Sequence, residues 1–247
     1  MTIALLDAHD VNYDYIGAIS DPNRVEYCNR HNIDFIRYRF DKLEPEGRQP
    51  NWGRFQGLIT HLPNYDWIFY LDTDAIITNM DIDIRDCIDE SYDMIAGPLP
   101  HEGHLSTGGF LIKNSQWSMD FMADLWSQTQ FIDNAYFGTL SGGDGKYFEQ
   151  SSFHYLYDTK EDYRKHIKVV ERKAFASTLF DHQPDHLLVH LPGRAHKLLM
   201  MCAYLKKDYA IVKRLYDLEK EVDLIYRRSY NVKKTKLIGK QFLGKRR

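Results

Sequence analysis

The sequence predicts an α/β fold: a mostly parallel central sheet flanked by helices, in one domain with a C-terminal helical extension. Two observations carry this. Short apolar runs without polar alternation recur along the chain, Trp67–Leu71 (WIFYL) being the clearest, and such runs fit strands buried on both faces. Between them lie segments with helical spacing of apolar residues, so strand and helix alternate. No internal repeat or low-complexity linker interrupts the order. The expected division is a main domain over residues 1–200 and a helix with a basic tail over 201–247.

Taken in order, Ile3–Leu6 is the first apolar run and ends at Asp7. Asp21-Pro22 reads as a helix start, with Asp as N-cap and Pro at the first helical position, and the helix runs to about His31. Ile33–Phe40 is the next strand and Lys42–Pro50 a polar loop. Trp52, Phe55, Leu58, Ile59 and Leu62 share a helical face, and Pro63-Asn64 closes that helix before WIFYL. Tyr92–Ala96 and Gly109–Ile112 are short strands, Ser115–Gln128 an amphipathic helix, and Leu187–His190 a last strand. From Met201 to Tyr226 the spacing predicts one long helix.

Composition narrows the class. Hydrophobic residues at 43% and charged residues at 27% are those of a soluble globular chain, and 17 Tyr and 13 Phe are on the high side; such residues pack cores, and Tyr also lines sugar and base sites. Cys28, Cys87 and Cys202 are widely spaced and form no CxxC pair, the pattern of reduced thiols in a cytosol-like compartment. The N-terminal MTIALLDAHD lacks a signal-peptide pattern, and no run of about 18 apolar residues occurs, so the expected location is cytoplasmic without a membrane span. Charge is unevenly placed. Nine of the 32 Lys and Arg lie in 227–247, where there is no Asp or Glu; all 35 acids share residues 1–226 with the other 23 basic residues. With Leu237, Ile238, Phe242 and Leu243 interleaved, that tail reads either as a solvated end or as a peripheral contact for anionic membrane. Too few aromatics accompany it for nucleic-acid recognition.

Chemistry concentrates in Asp66–Thr78 (DWIFYLDTDAIIT). A buried strand delivers Asp72 and Asp74 at its carboxyl end, where ligands bind in open α/β sheets. In an extended chain residues i and i+2 face the same side, so both carboxylates can serve one site. Two adjacent carboxylates repel unless a cation joins them, and a divalent cation also neutralises a diphosphate. Oxygen ligands suit Mg²⁺ or Mn²⁺, and an added imidazole favours Mn²⁺. The bland alternative is a turn between two strands.

The run YDWIFYLDTDAIITN resembles the metal-binding strand of retaining GT-A glycosyltransferases, whose fold is Rossmann-like, and most nearly that of glycosyltransferase family 34, the galactosyl- and xylosyltransferases. Thr107–Trp126, Leu187–Lys197 (LLVHLPGRAHK) and Asn23–His31 are similar to further segments of that family, in the same order. The resemblance implies a UDP-sugar donor, a glycan or other hydroxyl acceptor, and retention of anomeric configuration. It implies His190 as third metal ligand, against the plain reading of a core histidine, and Gly193, Arg194 and Lys197 near the diphosphate, Lys197 being preferred to Arg194 as the phosphate contact. Arg54 is expected to reach donor phosphate or sugar, and Asp10 the nucleoside. Glu149 and Gln150 stand where the family has an acid followed by Gln near the reactive face of the sugar; Glu replaces the usual Asp, and Ser106 stands where Asn is usual, so sugar preference can differ. The same two residues also fit an ordinary amphipathic helix. Acceptor candidates are the loops His101–His104 and Phe131–Gly145.

Three other functions share parts of this pattern: an inverting GT-A enzyme, a Mg²⁺-dependent nucleotidyltransferase, and a non-catalytic nucleotide-sugar-binding protein. The second would carry a Gly/Lys-rich phosphate loop near the N-terminus, which IALLDAHDVNYDY lacks. The third would show decay of the Asp72, Asp74 and His190 set, which is intact.

Overall fold

The computed structural model describes residues 1–43, 47–98, 105–133, 148–179, 181–193 and 196–222. The chain divides into two compact units, Met1–Pro192 and Gly193–Arg247.

In the first unit a six-stranded sheet is built from β1 (Ile3–Asp10), β2 (Asp34–Phe40), β3 (Trp67–Leu71), β5 (Met94–Pro98), β6 (Leu105–Lys113) and β7 (Ile167–Val169), in the order β2-β1-β3-β6-β5-β7. The pairs β1–β2, β1–β3 and β5–β7 are parallel, while β6 is antiparallel to both β3 and β5. Six residues separate β5 from β6, too few for a parallel crossover, which needs a dozen or more. A second, two-stranded antiparallel sheet joins β4 (Ala75–Ile77) to β8 (Leu188–His190).

Helices cover both faces of the large sheet. Leu6, Ile68, Tyr70, Phe110 and Ile112 point to one side, where they pack with α2 (Gly53–His61), α3 (Gln116–Ser127) and α4 (Phe148–Thr159) through Phe55, Leu58, Phe121, Leu125, Phe153 and Leu156. The alternate residues Ile3, Leu5, Trp67, Phe69 and Leu111 pack with Tyr27 and Cys28 of α1 (Asp14–His31), with Phe175 of α6 (Arg172–Phe175), and with β4 and β8. WIFYL is buried throughout because each face of the sheet carries its own core. The short α5 (Glu161–Lys165) leads into β7.

Two helix boundaries differ from the sequence expectation. Asp21-Pro22 does not open α1; the helix starts at Asp14 and Pro22 lies inside it. An interior proline forfeits one backbone hydrogen bond, about 3 kcal/mol. Here the residues on either side of it, Ile16, Gly17 and Ser20 before and Asn23, Arg24, Tyr27 and Cys28 after, are all buried, and that packing outweighs the loss. Asn32 (φ 52°) ends the helix in the left-handed region, and the N–H of Ile33 bonds the carbonyl of Cys28 at 2.9 Å.

The single long helix expected from Met201 is two helices. In the second unit α7 (Lys197–Leu205) stops at Lys207, whose φ is 54°. The N–H of Asp208 bonds the carbonyl of Ala203 (2.8 Å) and that of Lys207 bonds Tyr204 (2.9 Å), a Schellman closure that normally uses Gly. Asp208 then caps the helix over 209–222, its Oδ1 accepting from the N–H of Ile211 at 3.1 Å. Among the described residues no helix is long and apolar enough to cross a membrane. The basic segment 227–247 and most of both acceptor-loop candidates lie outside the described residues.

Candidate active site

The carboxyl ends of β1 and β3 open onto a cavity of about 410 Å³ whose walls include Ala8, His9, Asp10, Tyr13, Asn51, Arg54, Tyr70 and the whole Asp72-Thr73-Asp74 sequence. Its position is where an open α/β sheet binds ligands.

Asp72 and Asp74 are not joined by extended backbone, as alternation would have it. The chain turns at this point, with the N–H of Ala75 bonded to the carbonyl of Asp72 at 3.0 Å, and leaves the large sheet to form β4. The register of the small sheet then brings in the third member. Ala75 pairs with His190, so the imidazole comes to lie beside Asp74. His190 Nε2 is 3.1 Å from Asp74 Oδ1 and 3.4 Å from Asp72 Oδ2. One ligand atom from each of the three residues lies within 4.8 Å of the others. Two carboxylate oxygens and an imidazole nitrogen are the donor set that suits Mn²⁺ or Mg²⁺ with positions left open for phosphate oxygens. Burial disfavours the charged imidazole, but the hydrogen bond to Asp74 and the charges of both carboxylates prevail and raise the pKa of His190.

Room for this cluster comes from Gly108 on β6. A Cβ there would sit 2.3 Å from His190 Cε1 and 2.9 Å from Asp72 Oδ2. The Gly108 carbonyl also holds Asp72 directly, accepting its N–H at 2.9 Å.

A cation and a further acid stand next to the cluster. Arg54, buried near the start of α2, places Nη2 3.2 Å from Asp72 Oδ1 and 3.3 Å from Glu149 Oε1, while Nη1 donates to the Thr107 carbonyl at 2.6 Å. Burial works against its charge, yet the carboxylates of Asp72 and Glu149 raise its pKa, so it is a permanent cation. Tyr70 donates its hydroxyl to Asp72 Oδ1 at 2.7 Å. Glu149, in the first turn of α4, also accepts from Asn51 Nδ2. Burial raises its pKa and Arg54 only partly offsets this.

The structure therefore assembles Asp72, Asp74, His190, Arg54 and Glu149 in one place, with Asp10 on the same cavity wall. Asp10 Oδ2 accepts from Asn12, whereas its Oδ1 is buried without a hydrogen-bond partner among the described residues. The remaining expected members have the following surroundings. Gln150 donates to the Leu105 carbonyl at 3.2 Å and lies 3.4 Å from His154 Nε2, and the Ser106 hydroxyl accepts the N–H of Gly108 at 3.3 Å. Gly193 (φ 63°) and Lys197, the first residue of α7, belong to the second unit, and Arg194 is outside the described residues.

Asp7, Asn23, Arg24 and Tyr70 also bear on the site and stand outside the residues expected from the sequence. Asp7 and Arg24 form a fully buried ion pair (Nη1 to Oδ2 2.8 Å) behind the Asp72–Asp74 turn. The available signal was an Asp ending an apolar strand and an Arg on the buried face of a helix, charges that need each other if both are interior.

The fold, a central α/β sheet flanked by helices, is that of the GT-A glycosyltransferases. The structure superposes with a TM-score of 0.61 on that of a glycosyltransferase involved in the glycosylation of the major capsid of PBCV-1, covering 81% of this chain and 99% of that one at 17% identity. The profile of the galactosyl transferase GMA12/MNN10 family matches residues 7–96 and 100–206, and the chain belongs to that family. It is similar to galactomannan galactosyltransferase 1 of Cyamopsis tetragonoloba, 30% identical over 115 residues, and to probable xyloglucan 6-xylosyltransferase 3 of Arabidopsis thaliana, 29% identical over 114 residues. Each match covers 42% of this chain, and the chain spans about a quarter of the length of these relatives (26% and 24%).

Proposed function

We propose that the chain is a metal-dependent glycosyltransferase that moves a hexose or pentose from a UDP-sugar to a hydroxyl of a glycan acceptor with retention of configuration. The observation that carries this is the convergence of Asp72, Asp74 and His190 within 4.8 Å on the wall of a 410 Å³ cavity. A divalent cation bound there would neutralise charge on the departing diphosphate.

The protein's own groups supply the rest. Arg54, held by Asp72 and Glu149, is a fixed cation beside the metal ligands and stabilises negative charge that builds on the leaving group. Oδ1 of Asp10, without a partner among the described residues, is an acceptor suited to an N–H of a nucleobase. Lys197 and Arg194 remain the proposed phosphate contacts, with Gly193 allowing close backbone approach. As the bond from the anomeric carbon to phosphate breaks, its electron pair leaves with the diphosphate. The acceptor oxygen forms the new bond, and its proton passes to the departing phosphate oxygen. Glu149 is the carboxylate available for the other retaining route, a glycosyl-enzyme, but its ties to Arg54 and Asn51 favour a role in holding Arg54. The relatives named for galactosyl and xylosyl transfer support a hexose or pentose donor.

Incubation with UDP-galactose, UDP-glucose or UDP-xylose and Mn²⁺ is expected to release UDP, and the anomeric proton of fresh product to show an α-linkage by NMR. Absence of UDP release from every donor would overturn the transfer reading; a β-linkage would mean inversion, with an acid such as Glu149 as general base.

For the segment 227–247 the proposal is peripheral contact with anionic membrane, motivated by nine basic residues without an acid. The full chain should sediment with anionic liposomes at low salt and be released at high salt, and a chain ending at Tyr226 should stay in solution. Equal sedimentation of the two would exclude a targeting role for the tail.

A further inference from the structure

Behind the metal cluster, α1 grips the chain segment that carries Asp72 and Asp74. Arg24 has no solvent exposure; its Nη1 pairs with Asp7 Oδ2 at 2.8 Å, and its Nη2 donates to the main-chain carbonyls of Asp72 and, at 3.4 Å, Ala75. Asp7 Oδ1 accepts the hydroxyl of Thr73 at 2.7 Å, the residue between the two acids. Its Oδ2 lies 3.0 Å from His9 Nδ1. One residue before Arg24, the amide of Asn23 closes on Ile77 from both sides. Its Nδ2 donates to the Ile77 carbonyl and its Oδ1 accepts the Ile77 N–H, each at 2.9 Å. Residues 72, 73, 75 and 77 are thereby tied to two adjacent helical side chains and to the buried Asp7.

We propose that Arg24, with Asn23 and Asp7, is a positioning residue that sets the angle of the Asp72–Asp74 turn and so governs how tightly the Asp72, Asp74 and His190 cluster holds a divalent cation. The inference rests on the metal reading above. The physical reason lies in the energetics of buried ion pairs. Removing two charges from water costs about as much as their attraction returns, so apolar residues of similar volume would stabilise the core as well. What the pair adds is direction. A guanidinium is a planar fork of donors, able to meet a carboxylate with one nitrogen and two carbonyls with the other. The turn needs that support, because β4 is paired with β8 on one edge and Asn23 supplies hydrogen bonds for Ile77 in place of a neighbouring strand. Groups that orient metal ligands in this way are worth roughly 10- to 100-fold in metal affinity.

Arg24→Lys keeps the positive charge for Asp7 but cannot reproduce the fork. Thr73→Val removes one hydroxyl near the turn and leaves the ion pair intact. In the full chain with UDP present, the electron paramagnetic resonance signal of free Mn²⁺ gives the affinity of wild type and both variants, with thermal melts of the metal-free proteins alongside. Arg24→Lys is expected to weaken Mn²⁺ binding by roughly 10-fold or more, Thr73→Val by a smaller factor in the same direction. Turnover by Arg24→Lys should recover as Mn²⁺ is raised, which marks a fault in ligand geometry. A lowered melting temperature with unchanged Mn²⁺ affinity in both variants would overturn the inference and leave Arg24 a core residue only. Failure of the wild type itself to bind Mn²⁺ would instead remove the metal reading on which it rests.

Discussion

Asp72→Ala, Asp74→Ala and His190→Ala should each lower Mn²⁺-dependent turnover by at least about 100-fold, since a lost ligand removes several kcal/mol of charge stabilisation from the barrier. With ligand atoms of three residues inside 4.8 Å and no fourth His, Cys, Asp or Glu in that group among the described residues, none can be replaced by a neighbour. His190→Ala is the most telling of the three, because His190 reaches the site through the pairing of β8 with β4 and its backbone N–H stays bonded to the Ser177 carbonyl at 2.8 Å whatever its side chain. The strand should therefore survive and only the ligand be lost. Metal-dependent initial rates, with circular dichroism to check folding, measure this. Undiminished wild-type activity in excess EDTA would show that the cluster has another purpose.

Gly108→Ala is expected to be almost as damaging although it removes no functional group. The added carbon would lie 2.3 Å from His190 Cε1, 2.6 Å from Nδ1 and 2.9 Å from Asp72 Oδ2, closer than atoms approach without displacement. Overpacking of this kind costs about 1–3 kcal/mol when the neighbours yield. Here the neighbours are two of the proposed metal ligands. We expect a modest fall in melting temperature, a loss of Mn²⁺ affinity, and turnover reduced by roughly 100-fold, since sub-ångström ligand errors propagate into the reaction geometry. Kinetics at saturating donor over a range of Mn²⁺ concentrations, read beside a thermal melt, separate the two effects. An enzyme with wild-type Mn²⁺ dependence and rate would mean that His190 and Asp72 can withdraw without consequence and that neither is held where it must be.

The sequence by itself determined the class of fold and pointed to the two acids and the imidazole that the structure brings together. WIFYL announced a strand buried on both faces because an apolar run of five without alternation has few other solutions, and the acids that follow it had to meet at a strand end. Ser115, expected as the first residue of the amphipathic helix over 115–128, is instead the N-cap of α3, its hydroxyl accepting the N–H of Ser118. What only the tertiary structure decided is long-range or overrides local preference. Pro22 inside α1 and left-handed Lys207 at the end of α7 both contradict intrinsic propensity; burial of the helix overrides it at Pro22, and the closing bonds of Lys207 and Asp208 to Tyr204 and Ala203 override it at Lys207. The turn at Asp72–Ala75, the pairing that sets His190 opposite Ala75, and the meeting of Arg54 with Glu149 join residues far apart in sequence. Register and packing between distant segments leave no periodic trace along the chain, so the residues that would bind the metal could be read from the sequence, whereas Gly108, Arg24 and Asp7, which make room for them and hold them, could not.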